Sequence, residues 1–181
     1  DHRPVLLALG ATQRRKGLPD LVKAFELIGR VNKDVELHIV GPAGDDEDRV
    51  NRAVRQLPDA VATRVRRIGF VGEEERDRRV AHASVLVHAS HYEGFGFPLV
   101  EAMASDTPVV STSGGAIPEI VENAALMVEP GDVRALAGAV IQVIEDQETR
   151  EQLIRAGRER AARFRWADTA DGIVDIYRSF S

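Results

Sequence analysis

Short runs that are apolar throughout alternate along this chain with stretches whose apolar residues recur every three or four positions. PVLLALG (Pro4 to Gly10) reads as a buried strand. From Gly17 onward Leu18, Leu21, Val22, Phe25 and Ile28 fall at helical spacing. VELHIVGP (Val35 to Pro42) is a second strand, stopped by Gly41-Pro42. Val50, Ala53, Val54 and Leu57 form the next helical face, with Asp45 or Asp46 available as its cap. VRRIGFVG is a third strand. The charged segment after it pairs Glu74 with Arg78 and Glu75 with Arg79 at a spacing of four on an exposed helix. SVLVHAS, TPVVST (Thr107 to Thr112) and AALMVEP (Ala124 to Pro130) are strands four to six. The remainder is helical. One stripe runs through Val133, Leu136, Ala137, Val140, Ile141 and Ile144. A second takes Leu153, Ile154, Ala161 and Phe164, and a third Ile173, Ile176, Tyr177 and Phe180.

Uniformly apolar strands, each followed by a helix, predict a parallel sheet covered on both faces. Closure into an eight-fold barrel needs about 250 residues; this chain has 181. The expectation is therefore an α/β fold, a doubly wound Rossmann-like parallel sheet of about six strands. It forms a single domain over residues 1–181, with C-terminal helices over 148–180. No internal repeat or linker divides it. Such sheets bind ligands beyond the carboxyl ends of their strands, which directs attention to the loops after strands one, three, four and five.

Composition narrows the partners. The net charge of −5 argues against nucleic acid, whose phosphates need a cationic face. The chain has no cysteine, which excludes a disulfide framework and suits a reducing, cytoplasmic compartment. No apolar run approaches the about 20 residues of a membrane span, and no signal peptide is visible. Asp1 opens the chain, the only methionines are Met103 and Met127, and a strand begins almost at once. These features are those of a piece cut from a longer protein.

Candidate chemistry sits at the strand ends. After strand one, Gly10 permits a tight turn or close backbone approach. Arg14, Arg15 and Lys16 then stand just before a helix N-terminus, an arrangement that favours phosphate; a solvated basic turn is the alternative. No G-x-G-x-x-G fingerprint is present and strand two ends in Gly-Pro, both of which disfavour NAD. After strand four comes HYEGFGFPLVE, with Glu93 and Glu101 eight positions apart. Gly94 and Gly96 can take positive φ and bare their amides, forming an anion nest. Pro98 suits the first turn of a helix, and Glu101 lies early in that helix. A solvated loop acid (Glu93) and simple helix-end electrostatics (Glu101) are the bland alternatives. Together these groups suit a ligand with phosphates at its centre and hydroxyl-rich sugars at both ends, since carboxylates accept hydrogen bonds from vicinal hydroxyls. A nucleoside diphosphate sugar has this anatomy. After strand three, Phe70 and Val71 either flank a nucleobase or pack in the core. After strand five, Gly114 and Gly115 either let the backbone approach the ligand or make a tight turn for the fold. His88 reads as a satisfied core residue and His91 as a loop-mouth residue with a possible ligand contact. His38 and His82 read as structural or solvated, and His2 is terminal. No metal site is expected, because no histidine pair has suitable spacing with a third ligand.

The stretch from Tyr92 to Val140 resembles the C-terminal domain of retaining glycosyltransferases of GT-B fold, the group 1 family. Glu93 and Glu101 match its E-x7-E motif, and RRKGLPDLVKAF matches its Lys-Gly loop with Lys16 at the phosphate position. Trp166 before a last helix resembles the family's chain end. The likeness covers nearly the whole chain. It implies that Glu101 holds ribose hydroxyls and that Glu93 and the amides of Phe95, Gly96 and Phe97 contact donor sugar and phosphate. It also implies that Lys16 neutralises the leaving diphosphate. Glu93 and Lys16 are thus the catalytic candidates. Gly10, Arg15, Phe70, Val71, Gly94, Phe95, Gly96, Phe97 and Glu101 join Lys16 as candidates for donor binding. Two departures stand out. Ala11 replaces the arginine common after the first-loop glycine, unless Arg14 or Arg15 substitutes. Ser105-Asp106 replaces a Cys-Gly tip, a position expected to tolerate change.

The resemblance implies transfer of a hexose from a GDP- or UDP-linked donor to an acceptor hydroxyl, without a further cofactor. The acceptor, whether sugar, lipid or small molecule, would sit on an N-terminal domain outside this chain, so the domain alone is expected to be inactive. Peripheral membrane contact by the full-length protein stays open. The alternatives are a nucleotide-sugar-binding module without catalysis and an epimerase of the same fold.

Overall fold

The computed structural model describes residues 3–179, apart from the side chains of Trp166 and Ser179. His2 and Phe180 lie outside the described residues. β1 (Val5–Leu9) is the hub of the sheet. It pairs in parallel with β2 (Glu36–Val40) on one side and with β4 (Val85–His88) on the other. β3 (Val65–Gly69) lies outside β2, while β5 (Val109–Thr112) and β6 (Ala125–Val128) extend the other half. The order is β3-β2-β1-β4-β5-β6, all parallel. The chain therefore winds outward from β1 twice, in opposite directions. Between β1 and β4 the following loops diverge and open a crevice.

Side-chain alternation divides the core into two layers. Leu6 and Ala8 of β1, with Val85 and Val87 of β4, face α1 (Leu18–Val31), α2 (Glu47–Arg55) and α7 (Val133–Glu145). Leu7, Leu9 and Leu86 face α4 (Glu73–His82), α5 (Phe97–Ala104) and α6 (Ile117–Val121). Burying each such leucine is worth about 1.5–3 kcal/mol relative to exposure. α1 buries Leu21, Val22, Phe25 and Ile28, the stripe read from the sequence. α7 likewise buries Leu136, Ala137 and Val140. α8 (Gln147–Ala161) packs Gly157 on Met103 of α5. In α9 (Trp166–Ser179), Ile173 and Val174 are exposed.

One helix was missed and three expectations need correction. A short helix, α3 (Asp59–Ala62), lies before β3 and buries only Val61, too little for periodicity to show. Asp46 occupies the N-cap position of α2, but its side chain makes no capping bond. Its backbone there (φ −113°, ψ 8°) lies outside the usual extended cap geometry, and the carboxylate turns to Arg49 at 3.2 Å. The Ser105-Asp106 tip is also anchored. Asp106 adopts φ 59° and accepts from Arg158 of α8 through one edge of its guanidinium, from Nε to Oδ1 and from Nη2 to Oδ2 at 2.7 Å. Asp is among the few side chains that tolerate this conformation, so the tip is not a freely variable turn. On α4, Glu75 takes Arg79 at 2.7 Å as expected and also Arg78 at 2.8 Å, in place of the Glu74–Arg78 pair read from the sequence.

Candidate functional site

Three strand-end loops meet at the crevice. After β1 the chain turns at Gly10 (φ 127°), whose N–H donates to the Val40 carbonyl at 2.9 Å. It makes a tight helical turn at Arg14–Lys16, and Gly17 (φ 60°) leads it into α1. Gly17 rests against the loop after β4. A Cβ there would lie 2.0 Å from the Ala89 carbonyl oxygen. The His91 N–H donates to the Arg15 carbonyl at 2.7 Å, and the His91 ring meets Asp20 at 2.9 Å. The Lys16 side chain passes over Gly10, where an added Cβ would meet its Cε at 3.3 Å.

These contacts bring Arg15 and Lys16 onto one carboxylate. Lys16 Nζ bonds Glu93 Oε1, and Arg15 Nη1 reaches the same oxygen at 2.7 Å. The Ser90 hydroxyl donates to it at 3.2 Å, and His88 Nε2 lies 3.4 Å away. None of these four groups hydrogen-bonds Oε2. Glu93 is only 6% exposed. Burial alone would raise its pKa, but the hydrogen bonds from His88 and Lys16, the Lys16 charge and Arg15 outweigh it. The carboxyl is held far below the usual range. His88 is buried, and desolvation pushes its pKa down despite the Glu93 contact. His88 is therefore neutral, and its core reading from the sequence extends to holding Glu93. The two cations exceed the one carboxylate by a single positive charge, which favours an anion.

The loop after β5 fixes Glu93 from the other side. Glu93 forms a parallel bridge with Gly115, and its carbonyl accepts from the Ala116 N–H at 2.9 Å. A Cβ on Gly115 (φ 69°) would lie 2.3 Å from that carbonyl oxygen, and one on Gly114 the same distance from the His91 carbonyl. These glycines let two loops touch and so serve the fold of the site. In the loop between the acids, Gly96 takes φ 87° as the N-cap of α5. Gly94, which the sequence permits at positive φ, does not adopt it. One left-handed residue is enough to enter the helix, and Gly94 stays exposed and open. Pro98 sits in the first turn of α5. The Phe95 and Phe97 rings meet at a 43° tilt with centroids 4.7 Å apart.

A cleft of about 430 Å³ opens beside this cluster, a size suited to a small organic ligand. Gly10, Phe70, Val71, Phe97 and Glu101 all line it. Phe70 is 79% exposed, so it is a cleft wall and not a core residue. Val71 also packs against the second core layer. Two charged lining residues were missed in the sequence, Glu73 and Arg76. Both lie in the first turns of α4, immediately beyond a strand end, and that placement was the available signal. Arg76 Nη2 stands 3.7 Å from Glu101 Oε1. Among the described residues no three acidic or histidine side chains are grouped to hold a metal ion. No helix among them is long and apolar enough to cross a membrane.

A second cluster braces the first loop. Thr12 donates to Glu47 Oε2 at 2.6 Å and accepts from the Gly44 N–H at 2.6 Å. Arg67 Nη2 reaches both Glu47 oxygens at 2.9 and 2.8 Å, while its Nε and Nη1 are buried without a partner. The Thr12 hydrogen bond leads the groups that hold the Glu47 pKa down. Glu47→Gln is expected to cost about 1–3 kcal/mol in urea unfolding, because it removes the charge compensating a partly buried guanidinium. It should also weaken any ligand held by Lys16, four residues after Thr12.

Acid should loosen the site in two stages. Both His88 and Glu93 have depressed folded pKa values, so each contributes stability above its unfolded pKa and loses it as pH falls through the folded value. Stability measured by urea unfolding should therefore decline below about pH 6.5 from His88 and further below about pH 4.3 from Glu93. In Glu93→Gln the second decline should shrink. It should not vanish, since Glu36 and Glu47 are shifted the same way.

Residues 1–160 match the family model described as Glycosyl transferases group 1, and the chain belongs to that family. It is 30% identical over 176 residues to O-antigen chain mannosyltransferase B of Escherichia coli, covering 95% of this chain and 45% of the relative. It is 35% identical over 169 residues to an MMP alpha-(1->4)-mannosyltransferase of Mycolicibacterium hassiacum, covering 90% and 39%. Among solved structures, sucrose-phosphate synthase from Thermosynechococcus elongatus superposes with a TM-score of 0.87 at 30% identity, over 98% of this chain and 45% of that one. The C-terminal domain of the group 1 glycosyl transferase LpcC from Francisella tularensis superposes with a TM-score of 0.77 at 25% identity, over 88% and 84%. The fold is that of the C-terminal domain of GT-B enzymes. The chain spans less than half the length of these two curated relatives.

Proposed function

We propose that this chain is the donor-binding C-terminal domain of a retaining hexosyltransferase that uses a GDP- or UDP-linked sugar without a metal or further cofactor. The observation that carries this reading is the convergence of Arg15, Lys16 and Glu93 beside a cleft lined by Glu101. The family supports it, as does the match to an isolated C-terminal domain. In this reading Glu101 accepts the ribose hydroxyls, with Phe70 and Val71 flanking the base. The diphosphate lies against Lys16, Arg15, Gly10 and the amides of Phe95, Gly96 and Phe97. The acceptor is bound by an N-terminal domain that this chain does not include, so the domain alone transfers nothing. The cysteine-free sequence suits the reducing cytoplasm.

The geometry supports a positioning role for Glu93. A carboxylate whose Oε1 carries two cations has low basicity, which makes it a poor nucleophile. Oε2 is the oxygen left to accept a donor-sugar hydroxyl. Retention then proceeds on the front face. The bond from the anomeric carbon to the diphosphate oxygen breaks, Lys16 neutralises the departing charge, and a donor phosphate oxygen takes the proton of the attacking hydroxyl. The acceptor oxygen bonds to the same face that the diphosphate left.

Thermal melting tests the donor site. At about 100 times its Kd a ligand adds about 2.7 kcal/mol, which raises the Tm of a chain this size by roughly 5–11 °C. At least one nucleoside diphosphate or its sugar should do this, and Glu101→Ala should weaken its binding by about tenfold through lost hydrogen bonds to the ribose diol. If none shifts the melt, the donor-site assignment fails.

A further inference from the structure

We propose that the base end of the cleft selects guanine, read by Glu73 and Arg76. This rests on the donor-site reading above and identifies the base within it. The two residues are three apart on α4, which places them on one helix face. Both line the cleft, in company with the exposed Phe70 ring. Arg76 lies in the field of Glu73 on one side and of Glu101, at 3.7 Å, on the other. With Glu101 on the ribose, the base falls against the α4 side of the cleft. An acceptor and a donor stand there side by side.

The edges of the bases differ in what they ask of such a pair. Guanine presents O6 as an acceptor beside two adjacent donors, N1–H and the 2-amino group, with N7 as a further acceptor. A carboxylate accepts the two donors as a fork, and a guanidinium donates to O6. Uracil places its single N3–H between two carbonyls, so a facing carboxylate gains one bond and meets two repelling oxygens. Adenine offers one amino donor beside an unprotonated ring nitrogen, which also repels a carboxylate. Guanine alone gives the carboxylate two adjacent donors while its O6 accepts from the guanidinium. Arg76 Nε and Nη2 also reach Asp77 Oδ1 at 3.1 and 3.0 Å. That pair is on the surface, worth little, and readily exchanged for a base.

Calorimetric titration of this chain with GDP, IDP, UDP and ADP tests the assignment, since IDP differs from GDP only by lacking the 2-amino group. GDP should bind at least about tenfold more tightly than each of the others. In Glu73→Gln the preference for GDP over IDP should collapse, and in Arg76→Leu GDP should weaken. UDP or ADP binding as tightly as GDP overturns the guanine assignment, and so does equal affinity for GDP and IDP. If a different base is preferred and its binding still depends on Glu101, the donor site stands and the base assignment alone falls. If no diphosphate binds, both fall. The ratios for the unsubstituted chain decide the matter even where a variant folds poorly.

Discussion

Replacing Gly17 with alanine is expected to cost the fold about 3 kcal/mol or more and to remove ligand binding with it. Two effects combine. The residue sits at φ 60°, a conformation that costs a side-chain-bearing residue about 1–2 kcal/mol. The added Cβ would also lie 2.0 Å from the Ala89 carbonyl oxygen, and backbone on both sides would have to move. That movement separates the loop after β1 from the loop after β4. The His91 to Arg15 backbone bond and the meeting of Lys16 with Glu93 both depend on that contact. Urea unfolding and nucleotide titration on the same sample check it. Wild-type stability in Gly17→Ala would show that the two loops are not held by this contact.

Lys16→Ala should weaken a nucleoside diphosphate by about 10- to 100-fold, the worth of one hydrogen bond to a charged group, and leave the free nucleoside unaffected. Lys16 is 11% exposed at its side chain and already faces Glu93, so its removal leaves Arg15, Ser90 and His88 on that carboxylate. The fold should lose less than the site does. In the full-length enzyme the loss of transfer should exceed the loss of affinity, because charge builds on the leaving diphosphate as the glycosidic bond breaks. An unchanged diphosphate affinity would reduce Lys16 to a counter-ion for Glu93.

The sheet was legible because its central strands β1, β4 and β5 are buried on both faces and read as largely apolar runs, while the partly exposed edge strands β3 and β6 show only shorter ones. Each of the six structural strands falls inside the run assigned to it. Glu93 and Glu101 stood out through their spacing around Gly96 and Pro98, and the basic turn through its position before α1. Other features depend on contacts distant in the chain. Glu93 finds Arg15 and Lys16 across more than seventy residues, and Gly115 touches it from another loop. The Glu47 brace likewise joins the loop after β1, the start of α2 and the middle of β3. Gly94 misled because composition permits positive φ without requiring it. Asp46 misled because a residue type suited to capping can spend its carboxylate elsewhere. Glu73 and Arg76 looked like ordinary surface charge until β3 and α4 set them at the mouth of the cleft.

The most direct test of the account is a backbone amide NMR titration of this chain with a nucleoside diphosphate. Shifts should concentrate at Gly10, Lys16, Phe70, Val71, Gly96, Phe97 and Glu101, and in Glu101→Ala should need about tenfold more ligand to reach the same size. Shifts confined to another surface, such as the groove between Glu122 and Arg163 beside α8, would contradict it. So would a titration that leaves the strand-end residues unmoved.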